Sequence, residues 1–241
     1  MQRDTVGVYP YRIKSYESDF NGKMSLNASF LFLQESAWQN ALENGFGYEY
    51  LEKENAIWVL TRVLIQIDKW PSWKDEVIVK TWPRIAEGLF ALRDYQILLG
   101  ERVVAKIASS WLVLDKDTKR PRRISDFDFG RQDFLKAQAI DKPLRKLGLS
   151  MLMTKVDHRK VYSSDLDINK HVNNATYVKW IMDAYFSAES EYLKEFEINF
   201  IGELVLNDEF GIFEGQIEGE YFYQIKSIKD KEICRARIRI K

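Results

Sequence analysis

The order of structural signals along this 241-residue chain runs through once and then runs through again. Asn27-Ala28-Ser29-Phe30 returns 147 residues later as Asn174-Ala175-Thr176-Tyr177, and Ala37 falls opposite Ala184 at the same spacing. Just upstream, Asp19-Phe20-Asn21-Gly22-Lys23 parallels Asp167-Ile168-Asn169-Lys170-His171, shifted by one residue. Downstream, the turn Asp75-Glu76-Val77 parallels Asp208-Glu209-Phe210. Matches that keep their order over most of the chain point to two copies of one unit.

Periodicity describes that unit. Val8 to Tyr16 reads as a strand, and Asn27 is placed to cap a helix from Ala28 to Asn44 that Gly45 and Gly47 stop. Phe30, Leu33, Ala37 and Ala41 recur at helical spacing. Leu31, Phe32, Trp38 and Leu42 make the helix apolar almost all round, which predicts burial. From Ile57 the period becomes two, with Ile57, Val59, Thr61, Val63, Ile65 and Ile67 on one expected face. Glu76–Trp82, Leu89–Leu99 and Arg102–Leu114 complete four strands. The second half repeats this with a strand at Val156–Tyr162 and a helix at Ala175–Ala188. Four strands follow, at Phe196–Val205, Glu209–Ile217, Glu220–Ser227 and Glu232–Ile240. The expected fold is α+β, two β-α-β4 repeats in which a long helix is wrapped by an antiparallel sheet, a double hotdog. The expected division is an N-terminal hotdog over 1–130, a linker over 131–153 and a C-terminal hotdog over 154–241. The charged, Pro-containing run from Asp115 to Met153, with Phe127, Phe129 and Phe134, is expected to cross the surface between them.

Composition prunes the chemistry. Lys+Arg and Asp+Glu both number 36, so bulk charge gives no support to nucleic-acid binding. One cysteine, Cys234, forbids an intrachain disulfide and a multi-cysteine metal site, and two histidines forbid a His-rich one. No metal and no cofactor is expected: there is no glycine-rich phosphate loop, no serine elbow and no paired CxxC. No apolar run has the length of a secretory core or a membrane span, so a cytoplasmic protein without a span is expected.

Only His158 and His171 offer an imidazole near neutrality. Asp167, Asn169 and His171 alternate, so an extended backbone would point them one way, and Asn173 or Asn174 would cap the helix that follows. A polar run feeding a helix N-terminus sets acid/base groups beside open N–H donors. Where the copies differ, Lys23 stands for His171. Counting five back from the hairpin aspartate puts Trp70 opposite Glu203. A lysine of ordinary pKa is protonated at neutral pH and accepts no proton. The second copy is therefore the catalytic candidate, and the first, richer in Trp and Phe, suits an apolar tail. Plainer readings stand beside these: an Asx-turn at Asp167 and Asn169, a structural histidine at His171, a solvated strand-end glutamate at Glu203. His158 reads as a strand-face residue, Cys234 as structural, and Lys119-Arg120-Pro121-Arg122-Arg123 as a solvated basic run.

Asp165-Leu166-Asp167-Ile168-Asn169-Lys170-His171-Val172-Asn173-Asn174-Ala175-Thr176-Tyr177 resembles the signature of the acyl-acyl carrier protein (acyl-ACP) thioesterases, the plant FatA/FatB type and its bacterial relatives. Leu33-Gln34-Glu35-Ser36-Ala37, Ile57-Trp58-Val59-Leu60-Thr61-Arg62, Trp70-Pro71-Ser72-Trp73 and Ala108-Ser109-Ser110-Trp111-Leu112-Val113 extend the likeness over most of the chain. Its length and N-terminus resemble the bacterial members. The resemblance implies hydrolysis of fatty acyl-ACP to free fatty acid, ending fatty acid synthesis. Asp167, Asn169, His171 and Glu203 fall on the family's catalytic positions, and Leu204 stands where plant members often carry cysteine. N–H groups near Asn173 and Asn174 are candidate oxyanion donors. Phe30, Phe32, Leu33, Trp38, Trp58 and Leu60 are candidate lining for an acyl channel between the first helix and its sheet, with a plain core role standing beside that for each. Acidic ACP would dock on Arg120, Arg122, Arg123, Arg145 and Lys146. A homodimer stays open. So do an acyl-CoA thioesterase, a 3-hydroxyacyl dehydratase or hydratase, and a non-catalytic acyl-binding protein.

Overall fold

Alternating β-branched and polar residues build strands, and the two longest apolar helical runs lie against them. The computed structural model describes residues 5–128, 136–185 and 193–240, and by contacts the chain divides into two compact units, Met1–Leu144 and Arg145–Lys241. Phe129 and Phe134, and the last three residues of the helix expected to run to Ala188, lie outside the described residues.

In the first unit, β1 (Gly7–Arg12) leads to α1 (Leu26–Glu43) and a short α2 (Tyr48–Lys53) that periodicity did not reveal. Strands β2 (Ala56–Ile67), β3 (Glu76–Glu87), β4 (Phe90–Leu99) and β5 (Arg102–Asp115) follow, with a two-residue β6 (Pro121–Arg122) against β5. All pairings are antiparallel, in the order β1-β3-β4-β5-β2. In the second unit, β7 (Thr154–Lys160), α3 (Asn174–Tyr185), β8 (Glu195–Phe200), β9 (Glu209–Ile217), β10 (Glu220–Ser227) and β11 (Glu232–Arg239) pair in the order β8-β11-β10-β9-β7, again antiparallel. The topology is the expected β-α-β4 unit, twice.

Helix α1 departs from expectation at both its start and its outer face. Its N-cap is Ser25, whose hydroxyl accepts the Ala28 N–H at 3.4 Å, and Asn27 lies inside the first turn. Phe30, Phe32, Leu33 and Ala37 are buried, with Phe32 stacked on Tyr11 of β1 at 4.4 Å. Each large apolar side chain so buried stabilises by roughly 1.5–3 kcal/mol. Trp38 is 52% exposed and Leu31 and Leu42 are exposed as well, so the helix is not buried all round.

The expected single face of β2 is also broken. Leu60 pairs with Trp111 and Arg62 with the adjacent Ser110, so Thr61 is an extra residue, a β-bulge. An inserted residue flips every later side chain to the other face. Trp58 and Leu60 therefore share a face with Val63 and Ile65, whereas Ile57 and Val59 share one with Leu64.

The run after β5 does not merely cross the surface. Trp82, Asp94, Ala108 and Leu64 are successive cross-strand partners, one row across β3, β4, β5 and β2. Ala139 and Ile140 pack onto this row in a buried cluster. The Trp82 indole donates to the Ala137 carbonyl at 2.9 Å and Arg62 to the Leu144 carbonyl at 3.0 Å. Asp94, fully buried, accepts the Ala139 N–H at 2.6 Å and faces Arg84 at 3.5 Å. Ala139 and Ile140 thus join the first unit's core, while the residues on either side of them stay at its surface. In the second unit Asn199 and Arg235, cross-strand partners, hold Leu147 by its N–H and its carbonyl at 2.7 Å each.

Removing the Asp94 acceptor leaves the buried Ala139 N–H unmet. Asp94→Ala is expected to destabilise by about 2–4 kcal/mol, read as a lower urea midpoint.

Candidate active site

Two loops of the same construction precede α1 and α3. Each opens with a 3-10 turn, Ser15–Glu17 or Ser163–Asp165. Its last carboxylate accepts a backbone N–H three residues back at 2.8 Å, Lys14 in one loop and Tyr162 in the other. The Asp19 N–H donates to the Lys23 carbonyl at 2.7 Å, and the Asp167 N–H to the His171 carbonyl at 2.8 Å. Within each closed loop the aspartate oxygen accepts the N–H two residues on, Asn21 at 2.9 Å and Asn169 at 2.8 Å. Asp167-Ile168-Asn169 is thus an Asx-turn and not the extended run that alternation suggested. The reversal needs a left-handed residue: Gly22 has φ 69° in the first loop, and Lys170 has φ 63° at the matching place in the second.

The loops end on helix caps that match too. Ser25 caps α1, and the Asn173 carboxamide accepts the Ala175 N–H of α3 at 2.8 Å. Loop and helix start therefore keep one spacing, with Ser25 on Asn173. The sequence match of Asn27–Phe30 with Asn174–Tyr177 is one residue out of the structural register.

The partner of each loop is the stretch before β3 or β9. Met24 N–H donates to the Pro71 carbonyl at 2.9 Å, and Val172 N–H to the Leu204 carbonyl at 3.0 Å. Lys23 bridges Ser72, and His171 bridges Val205. Asp75 and Asp208 close the following turns by accepting the N–H of Ser72 at 2.8 Å and of Val205 at 3.0 Å. Trp70 therefore stands where Glu203 stands. In the second unit this brings His171 Nδ1 to 3.6 Å from Glu203 Oε2, with the side chains 35% and 53% exposed. That distance is longer than a hydrogen bond. In the first unit Lys23 Nζ instead donates to the Ser72 hydroxyl at 2.9 Å.

Glu203 is not the strand-end residue that parity implied. β8 ends at Phe200, and both Ile201 and Gly202 donate to the Ile233 carbonyl, at 2.8 and 2.9 Å. A side chain at Gly202 would meet the Glu232 carbonyl at 2.9 Å, so the chain turns off the sheet tightly there. Asn169 Nδ2 lies 3.5 Å from Asp167 Oδ2, at the limit of a hydrogen bond. Of the two expected oxyanion donors, the Asn173 N–H is already bonded to the Asp165 carbonyl at 3.0 Å. Asn174, the first residue of α3, keeps the open helix N–H.

The remaining expected residues fall in different places. Phe30, Phe32 and Leu33 are buried and Trp58 and Leu60 half-buried, with the Trp58 indole donating to the Phe46 carbonyl at 3.1 Å. Trp38, on the exposed side of α1, does not line an enclosed channel. Arg120, Arg123, Arg145 and Lys146 are exposed. Arg122 is turned inward: it donates to the Glu54 carbonyl at 2.7 Å and covers the Phe127 ring at 4.3 Å. His158 pairs with Glu209 at 3.5 Å, on the wall of a cavity of about 500 Å³ also lined by Tyr162, Asp165 and Trp180. Cys234 is fully buried, and burial pushes its thiol up, away from a nucleophile's thiolate. Tyr177, to which alternation and charge assigned no role, is buried beneath the Glu203 stretch. Among the described residues no cluster of three or more His, Cys, Asp or Glu has the arrangement of a metal site, and no helix is long and apolar enough to cross a membrane.

Residues 8–129 match the family model of the acyl-ACP thioesterase N-terminal domain, and residues 152–241 that of the C-terminal domain. The chain belongs to the acyl-ACP thioesterase family. Among its curated relatives, the chloroplastic palmitoyl-acyl carrier protein thioesterase of Arabidopsis thaliana is 31% identical over 195 residues, 72% of this chain and 46% of that protein. Oleoyl-acyl carrier protein thioesterase 2 of the same plant is 29% identical over 197 residues, 71% of this chain and 52% of that one. The chain thus spans about half the length of the curated relatives it matches. Among solved structures, an acyl-ACP thioesterase from Bacteroides thetaiotaomicron aligns over 98% of both chains at 26% identity and a TM-score of 0.87. The 12:0-ACP thioesterase of Umbellularia californica, 22% identical over the whole of both chains with a TM-score of 0.84, shares the fold. These neighbours and the β-α-β4 topology agree on two hotdog units.

Lys170 holds a left-handed backbone that costs a non-glycine residue roughly 1–2 kcal/mol, partly offset by the greater unfolded-state entropy of glycine. Lys170→Gly, which copies Gly22, is expected to raise stability by about 0.5–1 kcal/mol in urea denaturation, with the loop unchanged.

Proposed function

We propose that this chain hydrolyses fatty acyl-ACP, with the chemistry in the second unit and the acyl tail held by the first. The observation that carries the reading is the pair His171, on the loop, and Glu203, on the stretch that faces it, 3.6 Å apart where the first unit has Lys23 and Trp70. Imidazole with carboxylate can take a proton from water, and ammonium with indole cannot.

In the proposed reaction Glu203 and His171 position a water and remove its proton as it attacks the thioester carbonyl. The Asn174 N–H, at the positive end of α3, faces the oxygen that gains charge. Asn169 orients water or substrate, and Asp167 holds Asn169. Collapse of the tetrahedral intermediate breaks the carbon–sulfur bond, the proton passes to the thiolate, and fatty acid and carrier thiol leave. Asp167 occurs as Asp19 in the first loop, which assigns it a loop-building role as well. Phe30, Phe32, Leu33, Trp58 and Leu60 form the apolar side of the tail site. Arg120, Arg123, Arg145 and Lys146 are the cations offered to the acidic carrier.

Thiol release from acyl-ACP of several chain lengths tests the reading. His171→Ala and Glu203→Gln are each expected to lower kcat by about a hundredfold or more. Reversing the four exposed cations should raise KM for acyl-ACP and leave a short acyl thioester unaffected. A wild-type protein that releases no thiol from any acyl-ACP contradicts the reading. Single turnover in labelled water separates water attack from attack by Glu203 itself, since only the latter leaves label in Glu203.

A further inference from the structure

Glu203 stands in an irregular stretch, so something other than a strand ladder must fix it. The next residue, Leu204, is 1% exposed, and its carbonyl accepts the Val172 N–H at 3.0 Å. Its N–H donates to the Tyr177 hydroxyl at 3.0 Å. Tyr177, one turn into α3, is 2% exposed, with its ring 5.5 Å from Trp180 and 6.1 Å from Phe200. The phenol is held by packing on both sides and presents its oxygen to one backbone N–H.

That N–H lies in the peptide unit joining Glu203 to Leu204. The unit is planar, so it carries the Cα of Glu203 and the N–H of Leu204 as one rigid plate. The immobile phenol holds this plate by its N–H, and Val172 holds the next plate by the Leu204 carbonyl, so the Leu204 Cα where the two plates meet is fixed from both sides. This sets where the Glu203 side chain leaves the backbone relative to His171.

The first unit supplies an internal control. Four residues after the cap, where Tyr177 stands, the first unit has Ser29, whose hydroxyl folds back onto the Ser25 carbonyl at 3.3 Å. Where Leu204 stands, it has Pro71, which has no N–H to donate. The carbonyls at this position accept the same bond in both units, from Met24 and from Val172. Acceptor and donor are present together in the unit with the imidazole–carboxylate pair and absent together in the unit without it. A purely structural need at this corner is met in the first unit by proline and serine. We propose that Tyr177 is a positioning residue for Glu203, acting through the Leu204 amide. The inference rests on the reading of His171 and Glu203 as the hydrolytic pair.

The test uses the full chain and acyl-ACP. Tyr177→Phe keeps the ring and removes the acceptor, and Leu204→Pro added to it removes the donor, copying the first unit. Tyr177→Phe is expected to lower kcat about ten- to a hundredfold with KM within about twofold, the scale of a misplaced catalytic group. Hydrogen exchange at the Leu204 amide should speed up in the same variant. The double variant Tyr177→Phe/Leu204→Pro should recover kcat to within about threefold of wild type. An unchanged kcat in Tyr177→Phe overturns the proposal. So does a double variant that melts like the single one and gains no activity. If Leu204→Pro lowers the melting temperature, Tyr177→Phe and its amide exchange decide alone. A wild type without turnover removes the hydrolytic reading and this one with it, whereas an active wild type beside an unaffected Tyr177→Phe removes this one only.

Discussion

Everything at the site hangs on a loop closed by its own backbone. The Asp167 N–H reaches the His171 carbonyl, and the Asp167 carboxylate takes the Asn169 N–H inside the ring so formed. The loop then passes straight into the α3 cap at Asn173. Once this reversal exists, His171 must emerge beside the Leu204–Val205 backbone, because Val172 and His171 pair with that segment. The first unit builds the same ring with Asp19, Asn21 and Lys23. The ring is therefore a structural device, and the chemistry is a matter of which side chain it displays.

Two substitutions at matched places separate the units. Lys23 becomes His171, exchanging an amine for an imidazole, whose second ring nitrogen can accept a hydrogen bond or a proton. Trp70 becomes Glu203, exchanging a large apolar surface for a carboxylate. The second change has a backbone consequence. Pro71 closes its corner without an N–H, and Leu204 brings one into a buried setting where an unmet donor costs about 1–3 kcal/mol. Tyr177 meets it.

Much of this was legible from residue order, because duplication turns one sequence into two aligned ones. Counting back from Asp208 found Glu203 opposite Trp70, since Asp75 and Asp208 close their turns by the same hydrogen bond. The parts that were not legible have local causes. Ser25 and Asn27 are both good capping residues, and only the loop geometry selects Ser25. The Thr61 bulge leaves no mark in an alternating pattern, so alternation puts Ile57 and Val59 on one face with Val63 and Ile65, a face they do not share. Trp38 is apolar but lies on the exposed side of α1, and residue type alone does not reveal which side that is. Residues 136–144 look like a linker by charge, and they are held by Asp94, a strand residue whose burial depends on a segment some forty residues away in sequence. Tyr177 became visible only when its contact with Leu204 was set beside Ser29 and Pro71.

The central claim is that hydrolysis depends on the side chains that the second loop and the stretch facing it display, and not on the loop itself. It is tested most directly by acyl-ACP turnover in a chain carrying His171→Lys and Glu203→Trp, which gives the second unit the first unit's pair. The account predicts a folded protein, with the wild type's melting temperature within a few degrees, that releases no thiol above background. A folded double variant that still turns over acyl-ACP at a rate near the wild type's would contradict it.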